Sequence, residues 1–344
     1  MTSLTITDGY IETKRKRELE SKFGYYFYMK YGAKAAFDVD YSFNENASST
    51  IVSGTTGNVM LANNYYRPLY KSHERYYHFT HLDAIDSLQT LVITLNTFQA
   101  NPEWFFQRIS SKYNKASNQF DFQNLVLDLR GNEGGDRRLL NILYQMIAGK
   151  DVYDPSDTYV RAKNIRETDN LIAINGTFNS TEAVTNAEDY LEKHFVNTNN
   201  DQFSSDTKNW YDEFKLDFDV SDVEFNGQVY VLTSGKTFSA AADLGRILGD
   251  LDNVILVGEE TGGAHIGRTA NMLLKYALPN SKVNIQIPVI YEKFINIDMN
   301  VNTGRGTFPD YFITQSFEDL VNKRDAVFDF TVNLIEQNSS MGSN

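Results

Sequence analysis

The sequence predicts a mixed α/β protein organised on a parallel sheet, and three observations carry that expectation. Residues 122–129, FQNLVLDL, form a nearly continuous apolar run of the kind buried on both faces of a parallel sheet. They pass straight into a glycine-rich turn and then an apolar helix reaching about residue 148. Residues 227–267 repeat the pattern as strand, tight turn, helix, strand and glycine-rich loop. In the second unit Val229, Val231 and Leu232 belong to the strand, and Thr233-Ser234-Gly235 closes it. Phe238, Ala241, Ala242, Ile247 and Leu248 then recur at helical spacing, and residues 253–257 return as a buried strand.

The remaining elements follow in chain order. Residues 11–31 read as a helix, charged in its first half and aromatic in its second, with the basic run Lys14 to Arg17 taken as a solvated face. Residues 37–43, FDVDYSF, alternate and predict a half-buried strand; 44–49 read as a loop and 50–53 as a short strand. Residues 54–75 are rich in turn residues and tyrosine and show no period. Strands are expected near 76–81 and 88–98, and an amphipathic helix over 102–115. Residues 150–226 read as a polar insertion or cap over the sheet, with a helix at 182–194 and aromatics at Trp210, Tyr211 and Phe214. Two strands, 269–277 and 282–290, flank the turn 278–281. A loop at 304–310 and a last amphipathic helix over 325–336 complete the chain.

Composition narrows the function. At 344 residues the chain can bury a sizeable core as one large or two modest domains, and it is rich in Tyr and Phe. A net charge of −13 argues against a nucleic-acid surface and leaves no basic patch for an anionic membrane. Without cysteine there is no disulfide, thiolate metal site or cysteine nucleophile, which suits an oxidising compartment. No apolar run has the length of a membrane span. The first twenty residues lack the apolar stretch of a secretory signal, so the chain reads either as cytoplasmic or as lacking the front of a longer one.

Two decoys are set aside on chemistry. Ser234-Gly235-Lys236-Thr237 copies the tail of a phosphate-binding loop, but the glycine required five residues before Gly235 is Tyr230, which blocks close backbone approach. His73, His78 and His81 lie near one another, yet neither their spacing nor a neighbouring acidic pattern completes a metal site. The glycines of 130–136 do not follow the dinucleotide fingerprint either, so no cofactor is expected.

Ser239 stands where the second strand-turn meets its helix. Spacing leaves two readings open. It is a helix N-cap, or a nucleophile beside free backbone N–H groups and the positive end of a helix dipole. The first glycine turn, Gly131 to Gly135, likewise presents N–H groups at the carboxyl edge of a sheet, where they can hold an anion or a carbonyl oxygen.

Six segments in this order resemble the S41 peptidases, the tail-specific or C-terminal-processing serine peptidases: DLRGNEGG (128–135), TSGKTFSAAAD (233–243), VGEETGG (257–263), LPNS (278–281), GRGTFPDY (304–311) and FEDLVNKRD (317–325). The match is nearest to the Bacteroidetes-type branch and covers about residues 75–338; the segment at 9–32 resembles what precedes the core in that branch. The resemblance implies a crotonase/ClpP-like spiral of ββα units, with a small N-terminal helix-plus-strands segment ahead of it. It implies hydrolysis of peptide bonds of polypeptide substrates without metal or cofactor. By motif position the nucleophile is Ser239, with an oxyanion hole from the N–H of Ala240 and of Gly134 or Gly135. Glu259, Glu260, Thr261, Gly262 and Gly263 become candidates for a substrate loop. Relatives are usually exported to the periplasm or cell envelope.

The departures concern the base. The lysine of the family's Ser–Lys dyad falls on Ala264, and neither Lys236 nor Lys275 matches it. Other branches use an N-terminal histidine with a glutamate where this chain has Phe308. His265, beside the missing lysine, is the substitute candidate, with Glu259 or Glu260 to orient it. The expected organisation is an N-terminal flank over 1–74 without a PDZ-like module or lid, a core over 75–338 with an insertion at 150–226, and a tail over 339–344. The competing function is a catalytically inactive relative that binds polypeptide or a hydrophobic ligand.

Overall fold

The computed structural model describes residues 7, 9–43, 46–54, 80–152, 156–199, 202–205, 214–295, 297 and 304–341. The chain opens with helix α1 (Glu12–Tyr31) and the hairpin β1 (Ala36–Phe43) and β2 (Asn46–Ser53). Next come β3 (Thr80–Ile85), β4 (Thr90–Leu95), α2 (Pro102–Ser117), β5 (Asn124–Asp128) and α3 (Arg137–Ala148). The middle of the chain holds β6 (Ser156–Val160), β7 (Leu171–Ile174), β8 (Thr177–Phe178), α4 (Thr181–His194), β9 (Asn197–Asn199) and β10 (Gln202–Ser205). Then follow β11 (Gln228–Thr233), α5 (Ala240–Gly249), β12 (Val254–Gly258), β13 (Gly267–Ala277), β14 (Asn284–Phe294), β15 (Tyr311–Phe312), α6 (Phe317–Val321) and α7 (Ala326–Met341).

The predicted parallel sheet is present, with six strands in the order β15-β12-β11-β5-β4-β3. All neighbours are parallel except β3, which runs antiparallel to β4. Its central strands β4, β5 and β11 are buried on both faces because both faces are covered. Leu91, Ile93, Leu125, Leu127, Val229 and Val231 pack with residues of α2, α3 and α5. Val92, Val126, Tyr230, Leu232 and Val257 pack on the other face with Val327 and Ile335 of α7. Tyr230, which excluded the phosphate loop, is a fully buried core residue whose hydroxyl accepts from Asn338 Nδ2 at 3.1 Å.

Several expectations are corrected. The segment 150–226 is more than a polar excursion. Its strands join β13 and β14 in an antiparallel seven-stranded sheet, β8-β7-β13-β14-β6-β10-β9, with a core of its own that includes Leu171, Leu191, Phe195 and Ile290. Strand β1 is largely exposed rather than half-buried, because among the described residues its only sheet partner is β2 and, beyond Phe37 against Phe27 of α1, its alternation meets no described core. The expected loop at 44–49 is strand from Asn46 on, since β2 pairs along the whole of β1. The last helix runs past 336 to Met341. The strand expected at 76–81 begins, within the described residues, at Thr80. His73, His78, Trp210 and Tyr211 lie outside the described residues, as does the side chain of His81. Phe214 is buried in the main core.

Candidate active site

Strands β5 and β11 lie side by side and parallel, so the turns that leave them emerge together at one sheet edge. Side-chain hydroxyls lock those turns to each other. Ser234 Oγ donates to Arg130 O at 2.5 Å, and Thr237 Oγ1 donates to Leu129 O at 2.9 Å. Phe238 N–H donates to Asn132 O at 3.0 Å. Thr237 Oγ1 also accepts from Ser234 N–H at 2.9 Å, which tightens the second turn on itself.

Ser239 ends that turn at φ 53 and ψ −132, a left-handed backbone conformation that a side-chain-bearing residue adopts only at a cost of about 1–3 kcal/mol. It precedes α5 and caps nothing: its side chain accepts no hydrogen bond from the helix. The N-cap reading therefore fails on geometry. Ser239 is held in strain between strand and helix, and among the described residues its hydroxyl has no hydrogen-bond partner.

Gly134 lies directly against it. A β-carbon on Gly134 would meet Ser239 Cβ at 2.7 Å, Phe238 O at 2.8 Å and Ala240 N at 3.0 Å, and its φ of +93 suits glycine. Its N–H is already committed to Asn132 Oδ1 at 2.9 Å. Gly135 forms a parallel bridge with Phe98 in which the flanking groups make the bonds: Phe98 N–H to Gly134 O at 3.0 Å and Asp136 N–H to Phe98 O at 2.9 Å. The Gly135 N–H consequently faces away from Phe98. Among the described residues, neither that N–H nor the N–H of Ala240, the first residue of α5, donates to a protein acceptor. Asn132 Nδ2 is also buried without a partner among the described residues.

The loop over 259–263 serves as a frame. Glu259 accepts two bonds from Arg17, at 2.8 and 2.5 Å, and Glu260 two from Arg305, at 2.8 and 2.7 Å, plus Gly306 N–H at 2.8 Å. Both carboxylates are buried and committed to arginines, so neither is bonded to His265. The Glu259 hydrogen bond raises the Arg17 guanidinium above its ordinary value, against the opposing effect of burial. Thr261 exchanges bonds with Thr307, and Gly262 N–H donates to Thr237 O at 2.8 Å. Gly263 packs so close to α5 that a β-carbon there would sit 2.7 Å from Ala242 Cβ and 3.4 Å from Ser239 N.

His265 is held by the neighbouring loop. Its Nδ1 lies 3.0 Å from Thr307 Oγ1 and its backbone N–H donates to Arg305 O at 2.9 Å. Burial pushes its pKa below the ordinary histidine value, Arg246 adds to the shift and Asp250 opposes it. Those two charges lie about two and three turns along α5 from Ser239. Among the described residues no hydrogen bond joins His265 to Ser239. Ala264 bridges to Gly306, and Phe308 is exposed beneath the Arg305 guanidinium.

Sequence reasoning found α1 but missed its docking. Lys14 is buried rather than solvated, and Arg17 is bound to Glu259. Ile11 is fully buried as well, and Glu18 shares its side. The spacing 11, 14, 18 is a helical stripe that could have revealed a docked face. A second missed feature is a buried ionic network one turn into α5. Arg268 bonds Asp243 at 2.5 Å and Glu292 at 2.7 Å, and Arg137, at the start of α3, lies 3.5 Å from Glu292. It ties the seven-stranded sheet to both helices that leave the site.

The sequence model of Peptidase family S41 matches residues 89–312, a span holding both turns, the frame loop and the ionic network. The chain belongs to peptidase family S41. Solved structures similar to this S41 chain are remote. A Parabacteroides merdae protein shares 15% identity over 75% of this chain and 64% of its own, with a TM-score of 0.43. Mature CPAF complexed with lactacystin shares 12% over 89% and 68%, at 0.48. The photosystem II D1 C-terminal processing protease shares 15% over 82% and 56%, at 0.35. No curated protein matches the sequence. Family membership of this S41 chain rests on the matched model. Among the described residues no group of three or more His, Asp or Glu could hold a metal, and no helix is long and apolar enough to cross a membrane.

Proposed function

We propose that this S41 chain is a serine endopeptidase that cleaves polypeptides through a Ser239 acyl-enzyme. The observation that carries the proposal is the uncapped, strained Ser239 packed against Gly134, with unbonded N–H groups at Ala240 and Gly135 on either side. In this reading Ser239 Oγ attacks the peptide carbonyl, a base takes its proton, and the carbonyl oxygen becomes an oxyanion. The N–H groups of Ala240 and Gly135 receive that charge, aided by the α5 dipole, each worth a few kcal/mol of barrier. Gly134 contributes close approach, since its own N–H is bonded to Asn132. The base then returns the proton to the leaving amine, and water releases the acyl group.

His265 remains the titratable candidate for the base. Burial favours the neutral form of its ring, and with Nδ1 on Thr307 its other nitrogen is available to a serine brought nearer in the substrate complex. Gly262 and Gly263, with Thr261, shape the wall beside the serine, while Glu259 and Glu260 hold that wall in place. The same reading carries the crotonase/ClpP-like spiral, which the run β3-β4-α2 supports as a ββα unit. It also carries a core over 75–338 with the 150–226 insertion building much of the second sheet.

The test is cleavage of casein by wild type beside Ser239→Ala, with a fluorophosphonate as a probe of the serine. Cleavage and labelling by the wild type alone are expected. No labelling and no cleavage by the wild type would overturn the proposal in favour of an inactive binding protein.

A further inference from the structure

Helix α1 approaches the site from outside the matched family region, and its first turns touch both glycine turns and the frame loop. Thr13 packs its backbone on Gly235, where a β-carbon would come within 2.4 Å, and its hydroxyl donates to Glu260 O at 3.0 Å. Arg17 holds Glu259, and Tyr10 N–H, just before the helix, donates to Gly304 O at 2.7 Å.

Lys14 sits at the centre of these contacts. Its ammonium lies 4.4 Å from the centroid of the Phe238 ring, the residue before Ser239. It lies 3.7 Å from Glu133, the residue before Gly134, and 3.4 Å from Glu18. Its stem runs across Gly262, where a β-carbon would meet Lys14 Cδ at 2.9 Å. The side chain is 8% exposed. Removing an ammonium from water is costly unless partners replace the water. Glu133 is 60% exposed, so that pair by itself contributes little to stability. What the arrangement does supply is a mechanical link. One cation grips the residue preceding the serine and the residue preceding the glycine turn, while its stem fills the notch left by the frame loop. Its partners, two carboxylates and an aromatic face, come from α1 and from both turns, which makes Lys14 a clamp between them.

We propose that Lys14 is a positioning residue that holds the Ser239 turn in register with the Gly134-Gly135 turn, making α1 a working part of the active site. The proposal rests on the reading of Ser239 as the nucleophile. A displacement of about 1 Å at such a site costs on the order of 100-fold in rate.

The test compares Lys14→Met, which keeps the stem, with Lys14→Arg, which keeps the charge. Four quantities are measured: the fluorophosphonate labelling rate of Ser239, kcat and KM on a peptide substrate, the melting temperature, and amide hydrogen exchange over 131–136 and 235–241. In Lys14→Met, labelling and kcat should fall about 10- to 100-fold with KM nearly unchanged. Exchange should rise in both turns, the melting temperature should hold, and Lys14→Arg should recover most of the rate. Unchanged labelling and exchange in Lys14→Met would overturn the proposal. So would equal losses in both variants accompanied by a lower melting temperature, which would mean packing alone. If the wild type neither labels nor cleaves, the nucleophile reading fails separately. Exchange then decides the clamp: a rise in both turns supports it, and no rise refutes it.

Discussion

Gly134 and Ser239 are packed so closely that a single added carbon on the glycine would stand 2.7 Å from the serine's own β-carbon. The contact joins the ends of two neighbouring parallel strands and sets how far the serine hydroxyl lies from the glycine turn. Gly134→Ala should therefore disable the site. The left-handed φ alone costs about 1–3 kcal/mol for a residue with a β-carbon, and the clash must be relieved by moving Ser239 or the turn. Fluorophosphonate labelling should drop at least about 100-fold, with a lower melting temperature; labelling at the wild-type rate would show that the two turns move independently.

Ser239→Ala should leave stability almost untouched. A capping serine loses about 0.5–2 kcal/mol on truncation, but Ser239 caps nothing and alanine inherits the same backbone strain. Urea unfolding should place the variant within about 0.5 kcal/mol of wild type, while turnover disappears. A loss in the capping range would restore the structural role for the hydroxyl.

Arg268→Leu should be among the most damaging substitutions away from the serine. It strands the buried carboxylate of Asp243 and leaves that of Glu292 to Arg137 and Asn271, a loss of pairing that costs about 3–5 kcal/mol. Adding Asp243→Asn and Glu292→Gln should recover more than half of the loss, because the penalty lies in unpaired charge and the three positions act as a unit. Denaturant unfolding of the single and triple variants measures this; strictly additive losses would contradict it.

His265 makes a pH prediction with a definite sign. Its folded pKa lies below the ordinary 6.5. Between that lowered value and about 6.5 the unfolded chain binds more protons than the folded one, so stability rises with pH there. The contribution is fully present above about 6.5 and is lost as pH falls through the folded value. Melting temperature from pH 8 to 5 should fall less steeply in His265→Gln than in wild type. If His265 is also the base, wild-type cleavage should persist below pH 6.5 and the variant should lose turnover at every pH. Parallel melting curves would remove the histidine from the stability account.

Much of the central architecture was legible because it is local. The apolar runs at 122–129 and 227–232 are strands, and the serine marks the elbow between β11 and α5, because burial on both faces and helical spacing are written into adjacent residues. The β1 strand was misjudged for the same reason. Its alternation is real, but alternation buries a face only where another layer meets it, and among the described residues only Phe37 is met, by Phe27 of α1.

By itself, then, the sequence determined the order of strand, turn and helix, the family, and the serine at the head of α5. Tertiary structure decided which groups at that serine are free. Gly134 and Gly135 are indistinguishable as letters, and only the bond to Asn132 and the bridge to Phe98 separate the N–H that is taken from the one that is open. Nor could spacing reveal that Lys14 reaches Phe238, or that Arg17 pairs with Glu259 at a separation of 242 residues. Such contacts depend on strand register and helix docking, which are settled by packing the whole chain rather than by any one segment of it.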